Sequence, residues 1–209
     1  TQAHLPNVEN RWIKVATMLP PTIEVCGTRL FPFCLRHRVA LSAIGSPALA
    51  RDKEMTGADL VAAVRILSSR TIEDIRRPSS WKEAWWAAKL RRNQKALVEE
   101  ASKLMIYFEA QSLWPRFWEK SAKPSQSTGT PWELVVVASL IRNGCTTEEA
   151  WTMPEAEAIW LHIAHVQANG SDVTVISDEE WDAMQRYLAE ERIRKAAAAS
   201  TETPNPRAN

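Results

Sequence analysis

His162 and His165 stand three residues apart in a segment of helical character, a spacing that sets two imidazoles on one helix face where a zinc ion could be held. No H-E-x-x-H motif surrounds them, and ordinary positions in a helix beside Trp160 explain them better. Cys145 with one of the four histidines could form a nucleophile–base pair. Nothing in the spacing brings a histidine or an orienting carboxylate to it, and a small cysteine after a helix stop is the simpler reading. Glu148-Glu149 and Glu179-Glu180 fall in the first turns of expected helices, where capping and the helix dipole account for acidic side chains. No G-x-G-x-x-G, G-x-x-x-x-G-K-[ST] or G-x-S-x-G occurs, and six glycines leave little for a phosphate cradle. The expectation is a protein without catalytic residues, bound cofactor or metal.

A second chemistry is nucleic-acid binding. Residues 65–95 hold nine basic and three acidic side chains, a net of +6, with Trp81, Trp85 and Trp86 interleaved among Arg70, Arg76, Arg77, Lys82, Lys89, Arg91, Arg92 and Lys95. Cations beside aromatic rings can grip phosphates and stack bases. The chain as a whole carries only +1, so an amphipathic helix with a basic outer face and inward tryptophans is favoured, and nucleic acid is not the expected partner.

The ten tryptophans, against four phenylalanines and two tyrosines, point instead to packing or protein binding. Trp132, Trp151 and Trp160 lie in a small helical unit without room to bury all three, which makes them the candidate partner-binding residues. Residues 131–195 carry twelve acidic and five basic side chains, a net of −7, opposite in sign to the basic stretch. Three cysteines, an odd count without C-x-x-C, argue against a disulfide framework and for a reducing compartment. The opening TQAHLPNVENRW shows no charged-then-apolar leader, and no apolar run approaches the roughly 18 residues of a membrane span. A soluble cytoplasmic protein that does not enter the membrane is the default expectation.

These side chains must be positioned by a mainly α chain. The first thirty-odd residues read as irregular or extended, with a small β-hairpin at 22–33 around Cys26-Gly27-Thr28. Leu35, Val39 and Ile44 suggest a short helix stopped by Gly45 and Pro47. Thr56 and Asp59 resemble a capping box that opens a helix with Leu60, Val64 and Leu67 on one stripe. Trp86, Leu90, Leu97, Ala101, Leu104 and Phe108 recur as one buried face over 80–114, which predicts a single helix of about 50 Å. SAKPSQSTGT at 121–130 reads as a linker between an N-terminal helical domain, 1–120, and a C-terminal helical unit, 131–195. That unit holds three expected helices, stopped at Asn143-Gly144 and Asn169-Gly170 and capped at Thr146 and Ser177. Residues 196–209 form a polar tail.

In LFPFCLRHRVALSAIGSPAL and ADLVAAVRILSSRTIEDI, the positions Leu30, Pro32, Phe33, His37, Gly45, Ser46, Asp59, Leu60, Ile66 and Ser68 resemble the entry and helical segment of the tailed-bacteriophage or prophage tail assembly chaperones. PWELVVVASLIRNGCTTEEAWTMPEAEAIWLHIA, with its E-A-W-x-M-P bridge, is similar to their C-terminal part. The two stretches, 30–75 and 131–164, cover somewhat over a third of the chain and consist of core and turn residues. The resemblance implies a helical protein of the host cytoplasm, without catalytic residues, that binds the tape-measure protein during tail morphogenesis. A structural virion component of the tail, neck or capsid and a nucleic-acid adaptor using the 65–95 stretch are the alternatives. Self-association into a homo-oligomer is compatible with each.

Overall fold

The computed structural model describes residues 10–17, 22–50, 53–119, 129–171 and 173–201. The chain is mainly α. In order, its elements are α1 (Asn10–Thr17), β1 (Glu24–Val25), β2 (Thr28–Arg29), α2 (Leu35–Ala43), a 3-10 turn (Pro47–Leu49), α3 (Gly57–Leu67), α4 (Ile72–Arg76), α5 (Trp81–Arg92) and α6 (Gln94–Gln111). After them come β3 (Phe117–Glu119), α7 (Trp132–Arg142), α8 (Thr147–Thr152), α9 (Glu155–Ala168), β4 (Val173–Val175) and α10 (Asp178–Thr201).

Local sequence chemistry sets many boundaries. Thr56 caps α3 and exchanges hydrogen bonds with Asp59, the expected box with aspartate in the glutamate position. Thr146 with Glu149 does the same for α8, and Ser177 with Glu180 for α10. The expected hairpin forms as β1 and β2, paired antiparallel across Cys26-Gly27, both at positive φ. Two adjacent left-handed residues make the tight turn that matches strand twist. The strained Cys26 is held by its N–H, which donates to the Glu100 carboxylate at 2.5 Å.

Four expectations change. The opening stretch is not irregular throughout, because α1 forms and lays Trp12 against Trp160, ring centroids 5.8 Å apart. The 80–114 helix is not continuous. Asn93 adopts an extended backbone, ends α5 and caps α6 by accepting from the Ala96 N–H. On α2, Leu35 is buried but Val39 and Ile44 face outward, while Arg36 and His37 are buried. A second two-stranded sheet, β3 against β4, joins residues on either side of the expected linker, and Ile176 N–H extends it to Arg116 O. The linker itself lies outside the described residues apart from Gly129 and Thr130. The expected tail lies outside them beyond Thr201, and α10 runs through its alanines to that residue.

The core has two clusters. The larger gathers Val25, Leu30 and Phe33 with Leu41, the inner face of α3, and Leu90, Leu97, Leu104 and Tyr107 from α5 and α6. Each fully buried large aliphatic side chain there contributes roughly 1.5–3 kcal/mol. A Cβ on Gly57 would stand 2.8 Å from Leu90 Cβ, so glycine is what lets α3 start against α5. The smaller cluster joins Val136, Val137 and Leu140 of α7 to Ala150, Ala158 and Leu35. Leu35 and Leu41 therefore send α2 into both clusters. Between them α2 can bury polar side chains because each has a partner: Arg36 the Glu148 carboxylate and His37 the Ser69 carbonyl.

Candidate functional site

The α2 segment presents Arg38 to the start of α9. The guanidinium makes a two-pronged ion pair with Glu155, Nε to Oε1 and Nη2 to Oε2, and the Glu155 side chain is 1 % exposed. Burial pushes the Glu155 carboxyl up from its ordinary value, against the pull of Arg38. The same guanidinium carbon lies 5.3 Å from the Phe33 ring centre, 4.9 Å from Trp114 and 5.4 Å from Trp132. Cation–π contacts of this kind fix ring orientation as well as charge. Arg36 makes a second bridge, at 2.7 and 2.6 Å to the Glu148 carboxylate and 2.8 Å to Arg70 O. It holds the exposed Glu148 carboxyl below its usual range.

Around this frame runs an apolar surface. A groove of about 700 Å³ lies between α6 and the 3-10 turn, with Met55, Met105, Phe108 and Trp114 in its wall and Arg38 and Glu155 at one end. Methionine and aromatic walls adapt to varied apolar surfaces. Across Arg38 from Trp114 stands Trp132, the first residue of α7. Helix α7 buries Val136, Val137 and Leu140, yet Leu134, Val135, Ala138 and Ile141 point outward, with Leu134 47 % exposed. At 100° per residue these four span a stripe on the face opposite the core, interrupted only by Arg142 at its edge. A helix apolar on both faces is built to be covered on both.

The expected binding residues separate on this surface. Trp132 is exposed with one ring face on Arg38. Trp151 is half-buried at the margin of the smaller cluster. Trp160 is 9 % exposed, and its indole N–H donates to Leu113 O at 2.8 Å, so it belongs to the packing between α9, α1 and the end of α6. Sequence spacing did not reveal the outward face of α7, although the run Leu134 to Val137 was the available signal. Arg38 and Glu155, 117 positions apart, left none.

The basic stretch differs from the favoured reading of inward tryptophans. Trp86 does pack against the larger cluster, but Trp81 is 82 % and Trp85 51 % exposed. The hairpin tip braces the helix from behind: Lys82 donates to Gly27 O at 2.7 Å, and Trp86 lies beside Gly27.

Among the described residues no group of three or more histidine, cysteine, aspartate or glutamate side chains could hold a metal ion, and no helix is long and apolar enough to cross a membrane. His165 and His162 remain neighbours on α9. His165 Nε2 is 2.8 Å from Asn169 Nδ2, and burial, then His165, holds the His162 pKa below its ordinary value. Cys145 sits half-buried against the smaller cluster. Cys26 and Cys34 are buried thiols pushed up to about 12 and about 11, first by desolvation, and thiols so placed are poor nucleophiles.

His37 supplies a pH dependence. Its ring is buried, Nε2–H donates to Ser69 O at 2.8 Å, and burial depresses its pKa below 6.5. The unfolded chain therefore binds the proton first as pH falls. Stability should decline from about pH 6.5 downward until the folded ring also titrates. Urea midpoints taken between pH 7.5 and 5.5 should fall, and His37→Gln should flatten that slope in part, because His162 is shifted in the same direction. An unchanged slope in the variant would remove His37 as its source.

The chain matches no protein-family model, no curated protein and no solved structure.

Proposed function

We propose that this chain is a non-enzymatic binding protein, a tail assembly chaperone of a tailed phage or prophage that holds its tape-measure protein during tail morphogenesis in the host cytoplasm. The observation that carries the reading is the outward apolar face of α7, continued through Trp132 and the Arg38 stack into the methionine-lined groove. An apolar surface of this kind needs a cover, and a chaperone offers it reversibly to an aggregation-prone client. The Arg38–Glu155 ion pair, with its carboxylate buried, sets the base of the surface, so it is presented without rearrangement. The resemblance in residues 30–75 and 131–164 agrees with this role.

The test is affinity purification of the tagged chain from infected or induced cells, with mass spectrometry of its partners and of purified particles. Recovery of a long helical tail protein, with this chain missing from the particles, is expected. Stoichiometric presence in particles would overturn the chaperone reading and make the chain a structural virion component.

A further inference from the structure

We infer that the exposed face of α5 is a binding site for single-stranded nucleic acid, read through base stacking on Trp81 and Trp85 and phosphate contacts to the cations beside them. This goes beyond the chaperone reading and uses a different surface. The two indoles are four residues apart, which places them about 6 Å apart along one helix face. That is roughly twice the ~3.4 Å step of a duplex strand, so an extended strand, with its bases unstacked, can lay one base on each ring. Ala84 and Ala88 flank the rings on the same face and keep the surface low enough for a flat base to reach them.

The charges that α5 itself sets beside the rings are of one sign, and an acid from another segment, Glu54, lies across the groove lined by Ala84, Ala88 and Arg91. At 100° per residue, Lys89 borders the two tryptophans on one side, Arg92 follows them along the stripe, and Arg91 borders the other side. Lys82 is turned to the hairpin tip, where it donates to Gly27 O and Thr28 Oγ1. Lys89 Nζ lies 5.0 Å from the Trp85 ring centre and 4.2 Å from that of Trp86, while the Trp86 ring meets Trp85 edge-on at 5.1 Å. Trp85 is thereby held in place with a cation against it. The one carboxylate of α5, Glu83, lies on the opposite side, engaged by Arg77 at 2.5 Å and by the Ser80 N–H. Among the described residues Lys89, Arg91 and Arg92 form no ion pair. Exposed rings bordered by unpaired cations, with the acid turned away, complement a polyanion that has flat faces. A lipid surface would instead call for an apolar stripe over several turns, and α5 fills those positions with alanine and arginine.

The experiment is fluorescence anisotropy of a fluorescein-labelled oligothymidylate of about 20 nucleotides titrated with the full-length protein. The expected result is saturable binding that exceeds binding to a duplex of equal length. Its logarithm should fall with the logarithm of salt at a slope of about −2, three phosphates at ~0.7 each. W81A/W85A should weaken binding at least tenfold, with roughly fivefold or more lost per stacked base. Trp81 is 82 % exposed, so W81A alone should unfold like the wild type and still weaken binding roughly fivefold, which separates lost stacking from any loosening at Trp85. K89Q/R92Q should flatten the salt slope while leaving part of the affinity. An α7 variant that stops client capture should bind the oligonucleotide as the wild type does, which keeps the two readings separable. The inference is overturned by no binding at low salt, or by W81A/W85A binding like the wild type. It is also overturned if phosphatidylglycerol vesicles or polyglutamate displace the oligonucleotide as well as unlabelled oligothymidylate does.

Discussion

Arg38→Ala is expected to lower the free energy of unfolding by about 3–5 kcal/mol, since it strands the Glu155 carboxylate where water cannot reach it. For a chain of this length that is a fall in Tm on the order of 10 °C. Arg38→Lys should lie between, because an ammonium cannot supply the two-pronged geometry or the flat stack against Phe33, Trp114 and Trp132. R38M/E155L should be closer to wild type than R38A, since neither charge is then buried alone. The deficit of R38A should also shrink on acidification. With its partner gone, the buried Glu155 has a folded pKa raised further above the ordinary 4.5. A carboxyl shifted upward contributes stability that is present below the unfolded pKa and lost as pH rises through the folded one. Thermal unfolding at pH 4.5 and pH 8 measures this directly. A deficit in R38A that is equal at both would show that the stacking, and not the buried charge, dominates.

The parts of the fold legible in the sequence are those decided within four residues. Thr56 with Asp59, Thr146 with Glu149 and Ser177 with Glu180 each carry both halves of a cap, so the starts of α3, α8 and α10 could be read directly. The break at Asn93 was hidden because the apolar rhythm passes straight through it. Leu90 and Leu97 serve the same core cluster from two helices, so spacing alone makes them look like one. Helix α1 owes its place to Trp160 and the Trp114 carbonyl, more than a hundred residues away, and the β3–β4 pair joins residues 54 to 58 positions apart. No local pattern carries that information.

The same limit governs the site. Residue types announced a surplus of tryptophan, but which face of each helix meets the core is a tertiary decision. On α5 the hairpin tip and the larger cluster claim the Trp86 and Leu90 side, and this turns Trp81 and Trp85 outward. On α9 the end of α6 claims Trp160 through its indole N–H. On α7 the clue was compositional: a helix whose only polar residues are Glu133, Ser139 and Arg142 has apolar side chains beyond those one core face takes, though spacing could not say which are outward.

Introducing aspartate at both Leu134 and Ile141 should abolish client capture while leaving the fold intact. Leu134 is 47 % and Ile141 39 % exposed, and an acid at 141 falls in the last turn of α7, so the two substitutions together should cost about 1–2 kcal/mol, small enough to leave the chain folded. In a covered interface the same carboxylates would be desolvated without partners, and a loss of at least 100-fold in affinity, about 2.7 kcal/mol, is expected. Trp132→Ala should weaken capture less, roughly tenfold, and lower stability by about 1 kcal/mol, because its ring stacks on Arg38. Binding of the client recovered by affinity purification, measured beside thermal unfolding, separates the two effects. Sedimentation of the isolated protein addresses self-association through the same surface. If the wild type is a dimer and the double-aspartate variant a monomer, a second copy covers α7, and the client must compete with it. Undiminished capture by a folded double-aspartate variant would move the binding surface off α7 altogether.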